Sequence, residues 1–257
     1  MTDTLLRAEQ NGVTTFTLSR PATRNALNAD VMHALREGVE ACAGDGTGVI
    51  VITGAGGAFS SGADIAAALG SDPSADAAYA LLTEVYGPTL LAIRNSPLPV
   101  IAAVDGVAAG LGCDLALACD LRLVSERGAF AELFIRVGLV PDGGGTYHLP
   151  RLVGVGRALE LMWTGRTVAA DEAVQIGLAN VRFSSETFAE DVQQYAAKLA
   201  GQAPHALTRG KRAVYAALDG TFEDALRREA ELQREIFNSP NGWEGFRAFV
   251  EKRPPRW

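Results

Sequence analysis

The sequence predicts an α/β protein with a helical C-terminal section. Residues 48–53 (GVIVIT) and 100–104 (VIAAV) are short apolar segments of the kind that form strands buried on both faces. Strand-like and helix-like segments alternate as far as about Phe183, and only helix-like segments follow. We therefore expect an α/β core over residues 1–200 and a helical section over residues 201–257.

The N-terminal segments carry clear local signals. Residues 5–8 and 13–18 alternate apolar and polar side chains on either side of the turn signal QNG at 10–12, which predicts a hairpin. Asn28 is placed to cap a helix. Apolar residues follow Asn28 at helical spacing: Val31, Leu35, Val39 and Cys42.

The middle of the chain contains one long helical pattern, over residues 77–95, behind a polar segment at 71–76 that we expect to be mobile. Residues 120–124 predict a strand, whereas residues 130–137 fit neither pattern clearly. Later segments fit helical spacing over 155–164, 170–176, 186–200, 204–218, 222–237 and 243–251.

Composition restricts the class of function. The 257 residues carry a net charge of −7, which argues against a nucleic-acid surface, since such a surface needs clustered Lys and Arg. Three unevenly spaced cysteines are too few for a disulfide framework. The first residues, MTDTLLRAEQ, lack the basic start and apolar run of a signal peptide. A soluble cytoplasmic protein that acts without nucleic acid or membrane is expected.

The stretch that organises the chain is residues 99–120, PVIAAVDGVAAGLGCDLALACD. It combines a buried strand, an Asp-Gly turn and the start of a helix. Gly110 and Gly112 allow a close approach to the backbone, and Asp114 is a lone carboxylate among apolar neighbours. Because a helix start presents unpaired N–H donors, the pattern is typical of a site for a developing oxyanion.

A second loop has the same design. Residues 54–64 (GAGGAFSSGAD) follow the strand at 48–53 and lead into a helix at 65–69. If adjacent strands bring the two loops together, the N–H groups of Ala63 and Leu111 could converge on one oxygen. Taken without any resemblance, glycine turns that merely link strands to helices explain the pair about as well.

Three segments resemble the crotonase superfamily, the family of enoyl-CoA hydratase and isomerase. They are SSGADI at 60–65, the stretch at 99–123, and GLVPDGGGTYHLPRLVG at 138–154. RPATRNALN and EGFRAFVEKRPPRW, near the two ends of the chain, resemble it too. The resemblance implies a spiral of repeated ββα units and a C-terminal section that helps form homotrimers, commonly paired into hexamers.

The resemblance also implies the ligand and its site. The substrate is an acyl-CoA thioester, as in fatty acid metabolism, so coenzyme A arrives with the substrate and no separate cofactor or metal is expected. The thioester carbonyl oxygen accepts hydrogen bonds from the backbone N–H groups of Ala63 and Leu111. The C-terminal section closes the CoA site and contributes Phe249 and Lys252. The remaining CoA- and substrate-binding candidates are Arg24, Ala26, Ser61, Gly62, Asp64, Ile65, Gly110 and Phe134.

The catalytic carboxylates depart from the hydratase pattern. Family hydratases use two glutamates; the first position matches Asp114, and the second matches Phe134, which cannot move a proton. The segment around Asp142, in the PDGGG turn, resembles the branch that contains the ring-epoxide isomerase of phenylacetyl-CoA breakdown and related double-bond isomerases. In that branch the aspartate of this turn is the acid/base. An isomerase needs one carboxylate that removes a proton and returns it two carbons away. We therefore expect an enoyl-CoA isomerase, with a hydratase or a non-catalytic acyl-CoA-binding protein as alternatives.

The roles of the individual carboxyl groups differ. We expect apolar neighbours (Phe134, Leu139, Val140) to raise the pKa of Asp142. The competing interpretation is that Asp142 follows proline as part of the turn or caps the next helix. Asp114 is either a second acid/base or water-positioning group, or a lining residue tied to backbone donors. Asp64 is expected to cap a helix and Asp120 to be structural.

Other common sites are excluded by sequence. Phe59 stands where the third glycine of a GxGxxG dinucleotide motif belongs. The chain has neither the GxSxG motif of serine hydrolases nor a GxxxxGK[ST] phosphate loop, and no Cys/His cluster has metal-ligand spacing. Cys113 and Cys119 are expected to be small core residues, since neither has a histidine close in sequence.

Overall fold

The computed structural model describes residues 3–69, 74–239 and 241–257, so residues 71–73 of the expected mobile segment lie outside the described residues. A six-stranded sheet has the order β1-β2-β3-β4-β6-β9, and a three-stranded sheet has the order β5-β7-β8. The strands are β1 (Leu5–Gln10), β2 (Val13–Leu18), β3 (Val49–Gly54), β4 (Val100–Val104), β5 (Val107–Ala109), β6 (Leu121–Ser125), β7 (Ala129–Ala131), β8 (Thr167–Ala169) and β9 (Val181–Phe183).

Helices cover both faces of the large sheet and form the last part of the chain. They are α1 (Ala29–Ala41), α2 (Ile65–Leu69), α3 (Ala75–Ala80), α4 (Gly87–Asn95), α5 (Leu111–Ala118), α6 (Gly145–Val153), α7 (Val155–Thr164), α8 (Ala170–Gln175), α9 (Phe188–Ala200), α10 (Pro204–Ala217), α11 (Phe222–Phe237) and α12 (Glu244–Glu251). No helix among the described residues is long and apolar enough to cross a membrane.

The large sheet begins with the predicted hairpin. β1 and β2 pair antiparallel around Asn11-Gly12, both of which have positive φ, and β2, β3, β4, β6 and β9 pair in parallel. The predicted cap of α1 is also confirmed, because Asn28 Oδ1 accepts the Val31 N–H at 3.1 Å. On one face of the sheet lies a core built with α1, α4 and α5, and on the other face lies a smaller core built with α9.

Three local predictions change. The helix expected over 77–95 begins earlier, at Ala75, and contains a wider π-helical turn over Leu81–Tyr86. A short strand that the sequence did not reveal, β5, separates β4 from α5. The ambiguous segment at 130–137 divides into β7 and a 3₁₀ turn at Leu133–Val137. Both short strands depend on pairing with distant partners, so a local pattern could not identify them.

The topology places two loops side by side. Adjacent parallel strands end at the same edge of a sheet, and β3 pairs directly with β4 through contacts such as Thr53–Ala103. The β3 loop (residues 55–64) and the β4 loop (residues 105–110) therefore leave the sheet together. Gly106 is needed at this contact, since a Cβ there would lie 2.0 Å from the carbonyl oxygen of Gly57.

A buried arginine ties β6 to the segment before β9. Arg122 is only 3% exposed, and its Nε and Nη1 donate to the carbonyl oxygens of Leu178 and Cys119 at 2.7 and 2.9 Å. We expect Arg122→Ala to lower the free energy of unfolding by about 2–4 kcal/mol, because both carbonyls lose their donor in a buried setting. Urea denaturation measures this change. Arg36→Ala, which removes an exposed arginine from α1, should change the stability by less than about 0.5 kcal/mol; similar losses in both variants would contradict the assigned role.

Candidate active site

The two loops meet through backbone hydrogen bonds. Ser60 and Ala108 form a parallel bridge, and the Ala109 N–H donates to the Ser60 carbonyl at 2.9 Å. Gly62 then lies against the start of α5, since a Cβ on Gly62 would be 3.4 Å from the Leu111 nitrogen. The β3 and β4 loops therefore converge, as the sequence predicted on the condition that their strands were adjacent.

Two backbone donors remain unpaired at this junction. Across the described residues, the N–H groups of Ala63 and Leu111 donate to no protein acceptor, although the neighbouring N–H groups of Gly62, Asp64 and Gly110 all do. Leu111 is the first residue of α5, where the helix dipole adds positive potential. Two free donors side by side at a helix start can stabilise a developing oxyanion.

A loop from before α1 holds the β3 loop in place. The side-chain amide of buried Asn25 donates to the carbonyls of Ala55 and Ala58, both at 2.8 Å, and its Oδ1 accepts the Arg20 N–H. The Ser60 hydroxyl donates in turn to the Asn25 carbonyl. These hydrogen bonds satisfy the polar groups of Asn25 and Ser60, which are buried beneath the β3 loop.

The β4 loop is held from the other side by β7. The Gly110 N–H donates to the Ala131 carbonyl at 2.8 Å, and Gly110 has φ 51° and ψ −126°, which a residue with a side chain rarely adopts. Phe134 is buried, and its ring lies 3.9 Å from the position of a Cβ on Gly110. Phe134 therefore lines the junction with an apolar surface.

Asp114 lies one turn into α5 and is fully buried. Its Oδ2 accepts the Gly143 N–H at 2.9 Å, so the carboxyl group is tied to a backbone donor, as one of the two interpretations of Asp114 required. Burial raises the pKa of Asp114 well above its ordinary value, the charge of Glu132 raises it further, and the Gly143 N–H opposes both effects. The hydrogen bond links α5 to the turn that contains Asp142.

Asp142 itself reaches solvent in the turn before α6. Partial burial raises the pKa of Asp142, as expected from sequence. The expected cause was partly wrong, since Leu139 and Val140 are 56% and 74% exposed and only Phe134 is buried. The capping interpretation is wrong too, because no side chain caps α6. Asp142 therefore does not cap α6, and its carboxyl group accepts a hydrogen bond from its own backbone N–H within the turn.

Glu132 is the site residue that sequence reasoning missed. It follows β7, is 3% exposed, and within the described part of the chain its carboxyl oxygens have no hydrogen bond of standard geometry, with only the Cys113 thiol nearby as a weak donor. Burial raises its pKa to about 7, with a smaller contribution from the charge of Asp142 and opposition from the Cys113 thiol. A glutamate inside the apolar segment AFAELF was the available signal, although no local pattern indicated that it faces Asp114.

The CoA-binding candidates divide into two groups. Ser61 contacts the segment of Arg24, because its N–H donates to the Arg24 carbonyl and its hydroxyl to the Thr23 carbonyl. Asp64 caps α2 as predicted, through the Ala67 N–H, and pairs with Arg20 at 2.8 Å. Ala26 is buried beside this group, whereas Ile65 is 58% exposed.

The C-terminal candidates lie apart from this group. Phe249 is 83% exposed on α12, and Lys252 ends that helix. Within the described residues no hydrogen bond or ion pair joins either of them to the β3 or β4 loop.

The remaining polar candidates are structural. Asp120 accepts the Val100 N–H and pairs with Lys211 Nζ, both at 2.7 Å, which confirms the structural role expected for it. Cys113 and Cys119 are buried free thiols, and burial raises the pKa of both, so neither is activated as a nucleophile. No group of three His, Cys, Asp or Glu side chains in the described ranges is arranged to hold a metal ion.

Comparison with known proteins identifies the family of this fold and site. The sequence model described as "Enoyl-CoA hydratase/isomerase" matches residues 8–257. A "probable enoyl-CoA hydratase" from Rhodobacter capsulatus is 39% identical, with 96% of this chain and 94% of that protein covered. The 1,2-epoxyphenylacetyl-CoA isomerase of Escherichia coli is 36% identical, with 100% and 99% covered.

A solved structure supports the same family assignment. The crystal structure of an enoyl-CoA hydratase from Bacillus anthracis has a TM-score of 0.94 with this chain at 30% identity, and the overlap covers 99% of this chain and 98% of that one. This overlap confirms the crotonase-like fold class predicted from the sequence.

Gly62 tests whether the loop junction matters for activity on an acyl-CoA. In Gly62→Ala the added Cβ would lie 2.8 Å from the Ala109 carbonyl oxygen, so the loops must separate and the two free N–H groups must diverge. We expect kcat to fall by about 100-fold, the effect of losing one oxyanion donor.

Gly57→Ala is the matched control for this test. It introduces similar strain, since both glycines have positive φ, but its Cβ meets nothing within 4 Å. Circular dichroism checks the folding of both variants. Equal activities in the two variants would contradict the assignment of the junction.

Proposed function

We propose that this chain, an acyl-CoA enzyme that belongs to the enoyl-CoA hydratase/isomerase family, shifts a carbon–carbon double bond in an enoyl-CoA thioester. The observation that carries the proposal is the position of Asp142. It is a solvent-accessible carboxyl group with a raised pKa, and it does not cap α6. It lies next to Gly143, which donates a hydrogen bond to Asp114 beside the β3 and β4 loops. The apolar ring of Phe134 occupies the position of the second acid in family hydratases.

The proposed reaction is a 1,3 proton shift. Asp142, when ionised, removes a proton from the carbon next to the thioester carbonyl, and the electron pair moves onto the carbonyl oxygen to form an enolate. The free N–H groups of Ala63 and Leu111 stabilise that oxygen. Collapse of the enolate places the double bond beside the carbonyl when the carbon two positions away takes up a proton.

The pH dependence follows from the requirement for ionised Asp142. Because its pKa is raised, activity should increase with pH over a range above the ordinary titration range of an aspartate.

Hydration of a 2-enoyl-CoA is the second candidate. The buried carboxyl groups of Asp114 and Glu132 favour it, because addition of water needs one group to orient the water and another to protonate carbon. A relative from Escherichia coli, 34% identical, is named a 2,3-dehydroadipyl-CoA hydratase. A non-catalytic acyl-CoA-binding protein is the third candidate, and it predicts binding without turnover.

Ligand, assembly and location complete the proposal. Coenzyme A enters as part of the substrate, with Arg24, Ala26 and residues 61–65 along its path and with Phe249 and Lys252 closing a neighbouring site. A homotrimer or a dimer of trimers is supported by exposed apolar side chains of the C-terminal helices: Phe222, Leu226, Phe246, Phe249 and Val250. The three free buried cysteines support a cytoplasmic location.

Analytical ultracentrifugation tests the assembly. A mass of three or six chains is expected, because a monomer would leave these side chains in water. A single-chain mass at micromolar concentration would contradict the proposed assembly and leave the catalytic proposal standing.

The reaction is tested by incubating the protein with a 3-enoyl-CoA and with a 2-enoyl-CoA and identifying the products by mass. Isomerisation leaves the mass unchanged, whereas hydration adds water. We expect isomerisation to be the faster reaction. We expect Asp142→Asn to lower kcat for it by about 100-fold or more, because an amide cannot accept the proton.

Asp171→Asn is the control for Asp142→Asn, since Asp171 is an exposed aspartate on α8. Faster addition of water by the wild-type protein would overturn the isomerase assignment. Tight binding of both substrates with no turnover in any variant would establish the non-catalytic alternative.

A further inference from the structure

Two of the three carboxyl groups at the site are buried without a counter-charge. Asp114 and Glu132 are 0% and 3% exposed, and no Lys, Arg or His side chain in the described part of the chain pairs with either. Three of their four oxygens, Asp114 Oδ1 and both of Glu132, have no hydrogen bond of standard geometry, and only the Gly145 N–H and the Cys113 thiol lie close enough to favour the charged forms. A buried carboxylate in this condition is costly, so the protons at the site need an explanation.

The two groups face the same point in space. A Cβ built on Gly145 would lie 2.5 Å from Asp114 Oδ1 and 3.4 Å from Glu132 Oε1, so these oxygens are within about 6 Å of each other. Gly145, with no side chain, leaves that space open. Two buried carboxyl groups this close do not both ionise, because like charges disfavour each other in a low dielectric.

The surrounding elements supply no cation to relieve this repulsion. The turn before α6 contributes Asp142, and α5 contributes the neutral Cys113 thiol. His148 on α6 is uncharged at neutral pH, since burial and nearby arginines lower its pKa to about 4. Arg94 on α4 stacks instead on the ring of Tyr215, at 3.4 Å from the ring centre.

We propose that Asp114 and Glu132 form a carboxyl pair that holds one shared proton, and that this pair is the acid that complements Asp142 as the base. The Gly143 N–H bond fixes Asp114 against the Asp142 turn, which keeps the pair beside the base. Glu132 is a positioning residue in this pair, because it acts through Asp114.

This inference rests on the proposed isomerase function. The proton next to the thioester carbonyl passes to Asp142, and the pair gives its shared proton to the carbon two positions away from that carbon. Transfer of the proton from Asp142 to the pair then restores the starting state, so no proton is gained or lost over the cycle.

Infrared spectroscopy tests the shared proton without any substrate. The wild-type protein should show the C=O stretch of a protonated carboxyl group near neutral pH, and this band should disappear only above pH 7, because burial and the charge of Glu132 raise the pKa of Asp114 well above its ordinary value. In Glu132→Gln the like charge is replaced by an amide that can donate to Asp114, so the band should titrate at least about one pH unit lower. Asp114→Asn should likewise move it, and the double variant should lack it.

Exposed Glu231→Gln is the control and should leave the band unchanged. Circular dichroism checks that each variant is folded. A wild-type spectrum without the band, or a midpoint that Glu132→Gln does not move, would overturn the proposal.

The pH profile of 3-enoyl-CoA isomerisation tests whether the carboxyl pair donates its proton to the substrate. Because the acid form of the pair is required, wild-type kcat should fall as the pH rises through the range in which the infrared band disappears. Glu132→Gln should lower kcat near pH 7 by about tenfold or more, with KM little changed, and should move this fall to lower pH. An unchanged profile would overturn the role as acid. If the wild-type protein turns over no enoyl-CoA, the proposed function fails, and the infrared band still decides whether the pair holds a proton.

Discussion

The close approach of two loops from neighbouring parallel strands is the constraint on which the site depends. β3 and β4 pair directly, so their loops leave the same sheet edge, and glycines at 62, 106 and 110 allow the backbones to touch. The result is two backbone donors, on Ala63 and Leu111, that the fold leaves unpaired. An unpaired backbone N–H costs free energy, and an oxyanion that accepts both donors offsets this cost.

The carboxyl groups are organised around the same junction. Asp114 follows Leu111 by one turn of α5, and its hydrogen bond to Gly143 positions the turn that carries Asp142. Glu132 follows Ala131, whose carbonyl accepts the Gly110 N–H. Donors and carboxyl groups therefore share one frame, and burial raises the pKa of each of the three acids above its ordinary value.

The sequence predicted features whose causes are local or topologically simple. The hairpin at Asn11-Gly12 and the cap at Asn28 need only neighbouring residues. The convergence of the loops needed one further condition, the adjacency of β3 and β4. The burial of Glu132 was not predictable in this way, because Glu132 follows β7, whose pairing with β5 and β8 joins segments far apart in the chain. Where packing between distant segments sets the environment of a side chain, a local pattern does not report it.

The most direct test of the account is a crystal structure with a non-reactive acyl-CoA analogue that keeps the thioester carbonyl. The account predicts that the carbonyl oxygen lies within hydrogen-bond distance, about 2.7–3.1 Å, of the nitrogen atoms of both Ala63 and Leu111, with Asp142 facing the adjacent carbon. A carbonyl that accepts neither N–H group, or an acyl chain that enters elsewhere, would contradict it.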